Sequence, residues 1–347
     1  SAEAAYAAVL SDREHEATLT GDAQAARHQR YLDSGLRFGD TYPEHPESAA
    51  VLTTVAEDLF AQNQFDLAIA VSQTVVGRQP PVEPALARTS WTVIAHSQFD
   101  LGNFVEAERA YYSLRPLTPV DDTVATDEIK ERIASSIYKQ GEQARDAGDL
   151  ETAVTHFRRL GQAVPDSGFR ETAEYDAAAA LIAMGSWDSA ATVLEAFRRD
   201  YPDSQYADDV TQKLAVTYLE SGQGAQAAGE FVRIANAPGA TDEVRREALW
   251  RASDLYKESG AVAQEKGVLE DIVARYPNPI AESIEARSRL LEIADQEGNA
   301  ARRVQILEDL VYVDATAGAQ RSDRTRFLAA RASLELAEPV RRSFSVM

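Results

Sequence analysis

Residues 175–202 read YDAAAALIAMGSWDSAATVLEAFRRDYP, and this stretch decides the fold. Apolar residues recur at helical spacing on both sides of Gly185. A glycine at the end of a helix commonly adopts a left-handed backbone, which reverses the chain into a second helix. Pro202 then ends the second helix, because proline lacks the N–H that a helix interior requires. The stretch therefore predicts one unit of helix, tight turn and helix.

The same signals recur at a nearly constant interval, which is typical of a repeat protein. Successive turn glycines are separated by 37, 37, 38 and 38 residues, and each lies between two segments with helical apolar spacing. These glycines are Gly148, Gly185, Gly222, Gly260 and Gly298. Many units are followed by a proline: Pro43, Pro80, Pro119, Pro165, Pro202 and Pro277. We therefore predict a series of helix pairs with one tight turn inside each pair.

Two packing positions follow each turn. A small residue stands five positions after the turn residue, where it lets the first helix approach the second: Ala68, Ala107, Ala153, Ala190 and Ala227. Large apolar pairs come next and are expected to fill the space between units: Tyr111 with Leu114, Phe157 with Leu160, Leu194 with Phe197, Phe231 with Ile234, and Leu269 with Ile272. Glu265 and Arg303 replace the small residue in the last two units, where we expect looser packing or a shifted register.

These residues resemble the tetratricopeptide repeats (TPRs), whose pattern combines small residues, a large apolar residue in the second helix and a terminal proline. The resemblance covers about residues 47–318 and implies an all-α, right-handed α-solenoid, or superhelix, of about seven repeats. Loops such as FRRDYPDSQYADD at 197–209 look like the variant found in bacterial envelope proteins, including the outer-membrane assembly lipoprotein and the periplasmic Tol-Pal coordinator. That resemblance implies a periplasmic or cell-envelope location, with the cytoplasm as the alternative.

The spacing also predicts the domain organisation. Residues 1–46 form an N-terminal capping helix pair or a divergent repeat, 47–318 the TPR-like solenoid, and 319–347 a C-terminal helix with a truncated tail. The predicted helix pairs are 3–19 with 22–40, 47–62 with 64–78, 84–101 with 104–114, 128–147 with 149–161, 169–184 with 187–200, 206–221 with 224–236, 242–259 with 262–275, and 281–297 with 300–314, before a last helix at 320–337.

One interval is longer than the others. Gly102 and Gly148 are 46 residues apart, and the excess falls in RPLTPVDDTVATD at 115–127. One interpretation is a hinge or a partner-binding loop, because long loops in compact folds are often functional. The other is a tolerated surface insertion, because a longer loop adds little closure entropy.

Composition excludes several classes of function. The net charge of −21 repels phosphate backbones and anionic lipid, so we expect neither nucleic acid nor a membrane surface as a partner. The absence of cysteine excludes disulfides, thiolate metal sites and thiol nucleophiles. No stretch approaches the roughly 18 consecutive apolar residues of a transmembrane helix, so we expect no direct membrane insertion.

Motifs for catalysis or cofactor binding are equally scarce. The five histidines form no HExxH motif and no pair at metal-ligand spacing. Asp12, Glu14, His15 and Glu16 point around the circumference of a helix and are interpreted as a solvated face. The glycines between Gly222 and Gly229 follow a predicted helix, where a phosphate loop requires a strand. We therefore predict no enzyme activity, no cofactor and no metal site.

The candidate site residues come from the TPR resemblance. Aligning each turn residue with the family's turn position places one set of first-helix side chains on the concave inner face: Thr92, His96, Phe99, Tyr138, Glu142, Arg145, Tyr175, Ile182, Gln212, Trp250, Asp254 and Lys257. Aromatic and arginine side chains among polar neighbours are typical of interface hot spots. The alternative is that Phe99, Tyr138, Tyr175 and Trp250 only pack between adjacent helices.

We therefore expect a non-catalytic protein–protein interaction scaffold that binds a peptide or a partner protein on the concave face, in a bacterial cell-envelope complex. The acidic charge favours partners with basic or mixed-charge segments. Two alternatives come from other classes of protein. One is the positioning or regulatory arm of a larger enzyme, and the other is a structural oligomerisation module.

Overall fold

The computed structural model of the chain describes residues 1–345, apart from the side chains at 339, 340 and 342–345. Every regular element in this part is a helix. The α-helices, numbered in chain order, are α1 Ala2–Glu16, α2 Gly21–Thr41, α3 Ser48–Ala61, α4 Phe65–Val76, α5 Pro84–Asp100, α6 Phe104–Leu114, α7 Thr123–Asp146, α8 Leu150–Ala163, α9 Arg170–Ala183, α10 Trp187–Asp200, α11 Ala207–Glu220, α12 Gly224–Asn236, α13 Asp242–Glu258, α14 Val262–Arg275, α15 Ile280–Gln296, α16 Ala300–Thr316 and α17 Asp323–Ser345.

The chain divides into two compact units, residues 1–180 and the chain from 181 onward. In each unit, consecutive helices form pairs joined by tight turns, as the repeat spacing predicts. In the first unit, one buried cluster extends from Ile94 in α5 to Ala177 in α9. A second cluster joins α1 and α2 to the following pair, and it buries Phe38 against Leu52 and Val55. The all-α prediction is confirmed.

The turn residues have the predicted backbone conformation. The turn glycines from Gly102 to Gly298 have φ between 65° and 81°, and Asn63, which takes the glycine position in an earlier unit, has φ of 61°. This left-handed region strains residues that carry a Cβ, although asparagine tolerates it better than most. The recurrence of glycine therefore reflects the geometry of the reversal between two helices.

The small-residue position is also confirmed. Ala68, Ala107, Ala153, Ala190 and Ala227 have no exposed surface. Four of the five large apolar pairs are buried as predicted, with exposures of 4% or less. The prediction is wrong for Phe231 and Ile234, which are only half-buried. These two side chains line a cavity instead of filling the space between helices.

The expectation of looser packing at Glu265 is wrong as well. The Glu265 side chain is buried and accepts hydrogen bonds from the guanidinium of Arg289 in α15, at 3.0 and 2.6 Å. Leu269 and Ile272, on the same helix, remain fully buried. A carboxylate can thus replace the close-packing alanine because the next helix supplies its partner.

Helix boundaries agree with the predicted ranges to within three residues, except at two places. α7 begins at Thr123, five residues before the predicted start, because the 115–127 segment supplies its first turn. Asp122 caps this turn by accepting a hydrogen bond from the Ala125 N–H at 3.0 Å. α17 extends to Ser345, beyond the predicted end at 337. The prediction of a truncated tail concerns in part residues 346 and 347, which lie outside the described residues.

Candidate functional site

The first unit contains a cavity of about 520 Å³ on the side of the first helices. Three helix pairs contribute, through α3, α5, α6 and α7. Thr118 and Asp122, from the segment before α7, complete the wall. The insertion at 115–127 is therefore part of the cavity, and its role as a hinge stays a prediction.

The floor of the cavity is apolar and its rim is charged. Phe60, Val93, Tyr111, Leu114 and Ile129 supply most of the apolar surface. The polar and charged lining residues are Glu57, Arg88, Thr89, Thr92, His96, Thr118, Asp122, Glu128 and Arg132. The cavity can therefore accept a large apolar group while offering charges of both signs at its entrance.

Two predicted site residues, Thr92 and His96, meet in this cavity. The Thr92 hydroxyl donates to the carbonyl of Arg88 within α5 at 2.9 Å. Burial lowers the pKa of His96, and Arg132 lowers it further. The imidazole is therefore neutral near pH 7, and its ring packs against Phe60 and Tyr111 at centroid distances of 6.0 and 5.7 Å.

Three groups of the cavity have no partner among the described side chains, although Glu57 is exposed to solvent. Arg88, on α5, and Glu57, on α3, form no ion pair with any described residue. The buried hydroxyl of Tyr111 has no hydrogen-bond partner within the described structure. A buried polar atom without a partner usually costs free energy, so such atoms are rare in folded proteins.

Tyr138, Glu142 and Arg145 are brought together on α7, but they bind one another and α9. The Tyr138 hydroxyl donates to the Asp176 carboxylate at 2.6 Å, and its ring packs against Phe157 at 5.4 Å. Arg145 lies 3.6 Å from Glu142 and 3.7 Å from Asp176. Tyr138 therefore holds α7 against its neighbours, as the packing alternative predicts, and burial raises its pKa together with the bond to Asp176.

Trp250 lies beside a second cavity, of about 500 Å³, within the second unit. Phe231 and Ile234 of α12 form one wall, and Val244 and Trp250 of α13 form another. The indole N–H of Trp250 donates to Glu282 at 3.1 Å. The guanidinium of Arg289 stacks over the same ring at 5.8 Å, so the indole is held in one orientation.

Asp254 and Glu247 supply acidic groups at this second cavity, and Arg251 supplies a basic group. Asp254 accepts a hydrogen bond from Arg289 at 2.7 Å, whereas Glu247 is exposed. The half-buried apolar pair and the oriented indole thus lie next to carboxylates. We name this surface the Trp250 cavity.

The remaining predicted residues are scattered over both units. Phe99 packs against Phe104 at 5.1 Å and against the first core. Tyr175 and Ile182 are half-buried on α9, and Gln212 is exposed on α11. Lys257 lies 3.7 Å from Glu292. The first-helix register thus predicts which helix carries each residue, but it does not separate packing residues from cavity residues.

Sequence reasoning missed Glu57, Arg88 and Arg289. Arg88 and Thr92 are four residues apart, so their shared helix face was detectable. No local pattern identifies Glu57, because it reaches the cavity from a different helix pair. Within residues 1–345, no group of three His, Cys, Asp or Glu side chains is placed to hold a metal ion. None of the described helices is both long and apolar enough to span a bilayer.

Comparison with known proteins adds a family resemblance. Residues 130–297 match the family model YfiO, described as outer membrane lipoprotein. No curated protein matches the chain closely enough to count as a relative.

Several solved structures are similar. The TPR domain of P58(IPK) is 13% identical, with a TM-score of 0.30 and coverage of 95% of this chain and 99% of that chain. A TPR protein of Parabacteroides merdae is also 13% identical, with a TM-score of 0.30 and coverage of 82% and 98%. Part of a TPR protein of Cytophaga hutchinsonii is 14% identical, with a TM-score of 0.31 and coverage of 80% and 98%.

The left-handed turn residues and the fully buried alanines stand at the positions that the tetratricopeptide resemblance predicts. The helix pairs of the chain therefore resemble tetratricopeptide repeats, and its residues 130–297 resemble an outer membrane lipoprotein family.

Proposed function

We propose that the chain is a non-catalytic protein–protein interaction scaffold, and that its first helices bind a peptide or a partner protein. Helix pairs of this kind present a continuous row of side chains, which suits extended or helical partners. The match of residues 130–297 to a family of outer membrane lipoproteins supports a place in a bacterial cell-envelope complex.

The Trp250 cavity is the observation that carries this proposal. Phe231 and Ile234 are partly exposed in this cavity, whereas the four other large apolar residue pairs are buried. An aromatic side chain that is held in place loses little conformational entropy on binding, and such residues often dominate interface energies. We infer that a bulky apolar side chain of the partner enters this cavity.

The charges around the cavity indicate which residues of the partner lie next to the inserted side chain. Glu247 is exposed, and Asp254 faces solvent with about half of its side chain while bound to Arg289. A basic residue next to the inserted apolar side chain would complement these carboxylates. We therefore propose a partner segment with basic or mixed charge, in agreement with the net charge of −21.

The proposal predicts that Trp250→Ala weakens partner binding by about 2 kcal/mol, because the substitution removes one wall of the cavity. The intact chain first captures partners from a bacterial envelope extract, and titration calorimetry then compares the purified partner with the variants. Trp187→Ala is the matched control, because Trp187 is a half-buried tryptophan at the start of a second helix.

Circular dichroism of each variant checks that the helices remain folded. Equal affinities for the Trp250 and Trp187 variants would show that the partner binds elsewhere. The scaffold proposal would itself be wrong if the intact chain captured no protein.

A further inference from the structure

We propose that the cavity between α3, α5 and α7 binds a zwitterionic ligand with one bulky apolar side chain, of the size of a single amino acid. This site goes beyond the proposed partner binding, which uses the Trp250 cavity of the second unit. The ligand carboxylate faces Arg88, its ammonium group faces Glu57, and its side chain lies on the apolar floor.

The size and lining of the cavity suit such a ligand. Its volume of about 520 Å³ lies within the usual range of small-molecule sites. Val93, Tyr111, Leu114 and Ile129 are each exposed by 7% or less and form a preformed apolar floor. An aromatic or branched side chain would be removed from water there, and this burial favours binding.

The charges at the rim complement a zwitterion. Arg88 and Glu57 project from neighbouring helix pairs, and neither has an ion-pair partner among the described residues. The other charged groups are partly engaged: Arg132 lies 3.9 Å from Glu128, and Asp122 caps α7. A cation and an anion left free at one rim favour a ligand that carries both charges over a ligand of either sign alone.

The pKa of Glu57 also reflects its surroundings. Burial raises the pKa of Glu57, and so does the neighbouring Asp58, whereas Arg13 lowers it. A ligand ammonium group next to this carboxylate would lower its pKa.

The floor contains one polar group without a partner. The Tyr111 hydroxyl makes no hydrogen bond within the described structure, although the residue is 1% exposed. The neutral ring of His96 lies next to it and lines the cavity.

A set of related probes tests the proposal on the unaltered 347-residue chain. Titration calorimetry or NMR compares L-phenylalanine with N-acetyl-phenylalanine, phenylalaninamide and N-acetyl-phenylalaninamide, which lack one or both charges. L-Alanine keeps both charges but lacks the ring. We expect L-phenylalanine to bind at least about tenfold more tightly than every other probe, because each blocked probe loses a charge-assisted bond and L-alanine loses the burial of the ring.

Two variants assign the charges. With Arg88→Gln, L-phenylalanine should bind no more tightly than phenylalaninamide, which lacks the carboxylate. With Glu57→Gln, it should bind no more tightly than N-acetyl-phenylalanine, which lacks the ammonium group. Arg109→Gln is the control, because Arg109 is exposed on α6 and lies outside the cavity. If the variants misfold, the probe series on the unaltered chain still tests whether both charges of the ligand contribute to binding.

The dipeptides Phe-Gly and Gly-Phe separate a free amino acid from the end of a peptide as the source of the ligand. Preference for L-phenylalanine over both dipeptides indicates the free amino acid, and tighter binding of one dipeptide indicates a peptide end. The inference is overturned if the doubly blocked probe binds as well as L-phenylalanine, or if no probe binds at about 10 mM, where even a weak site with a Kd of about 1 mM would be filled. Neither result would affect partner capture through the Trp250 cavity.

Discussion

At the scale of single residues, the buried pair of Glu265 and Arg289 explains how a repeat tolerates a charge at its close-packing position. Glu265 accepts two bonds from Arg289, and the same guanidinium donates to Asp254 at 2.7 Å and to the Ser253 carbonyl at 3.0 Å. Burying either charge alone would be costly, because water no longer solvates it. The two charges therefore depend on each other.

We predict that Glu265→Ala destabilises the fold by about 3 kcal/mol, even though alanine is the usual residue at this position. The substitution leaves the Arg289 guanidinium buried, with one carboxylate partner instead of two. The double variant Glu265→Ala, Arg289→Leu should recover much of the loss, because it removes both charges. Urea unfolding of the single and double variants measures the difference.

Glu106→Ala is the control for this prediction, because Glu106 forms an exposed ion pair with Arg109. Exposed pairs contribute about 1 kcal/mol or less. A loss at Glu265 no larger than the loss at Glu106 would mean that the buried pair does not hold α14 against α15.

At the scale of helices, the approach of α7 and α8 depends on small residues on both sides. Ala153 has no exposed surface on α8. On α7, a Cβ added at Gly141 would lie 2.5 Å from the Phe157 ring, so the glycine is required for this close contact. The short distance between α7 and α8 therefore depends on a glycine and an alanine, whose side chains take up little or no space.

We predict that Ala153→Leu destabilises the chain by about 1–3 kcal/mol, because the larger side chain overpacks the contact between α7 and α8. Ala301→Leu on α16 is the control, since Ala301 is exposed, and it should be nearly neutral. Thermal unfolding followed by circular dichroism measures both. Equal shifts in Tm would contradict the assigned repeat register.

At the scale of the whole molecule, the net charge of −21 acts on association rather than on the fold. Exposed charges are screened beyond roughly 8–10 Å at physiological ionic strength. Acidic residues next to a binding surface therefore guide the encounter with a basic partner, while buried apolar contacts supply most of the affinity.

We predict that added salt lowers the association rate of a captured partner more than it raises the dissociation rate. Glu247→Gln should reduce this salt dependence, because Glu247 lies at the Trp250 cavity. Glu151→Gln, an exposed position on the second helix α8, serves as the control. Surface plasmon resonance at several salt concentrations gives both rates, and a salt effect confined to dissociation would rule out electrostatic guidance.

The sequence by itself determined the local structure of this protein. Turn residues such as Gly148 and Asn63, and small residues such as Ala153, act on their own backbone or on the helix directly before them. Their spacing therefore predicts helix pairs, turns and most boundaries. The segment at 115–127 was also detectable as an insertion, because it breaks a nearly constant interval.

Only the tertiary structure decided which side chains of different helix pairs meet. Arg289 completes Glu265 from 24 residues away, and Glu57 reaches the same cavity as Arg132 from another helix pair. The sequence also did not show that Phe231 is only half-buried, because its burial depends on a neighbouring helix pair. Helical periodicity shows which face of a helix is apolar, but the partner of each side chain depends on the distance and rotation between helices, which local residues do not specify.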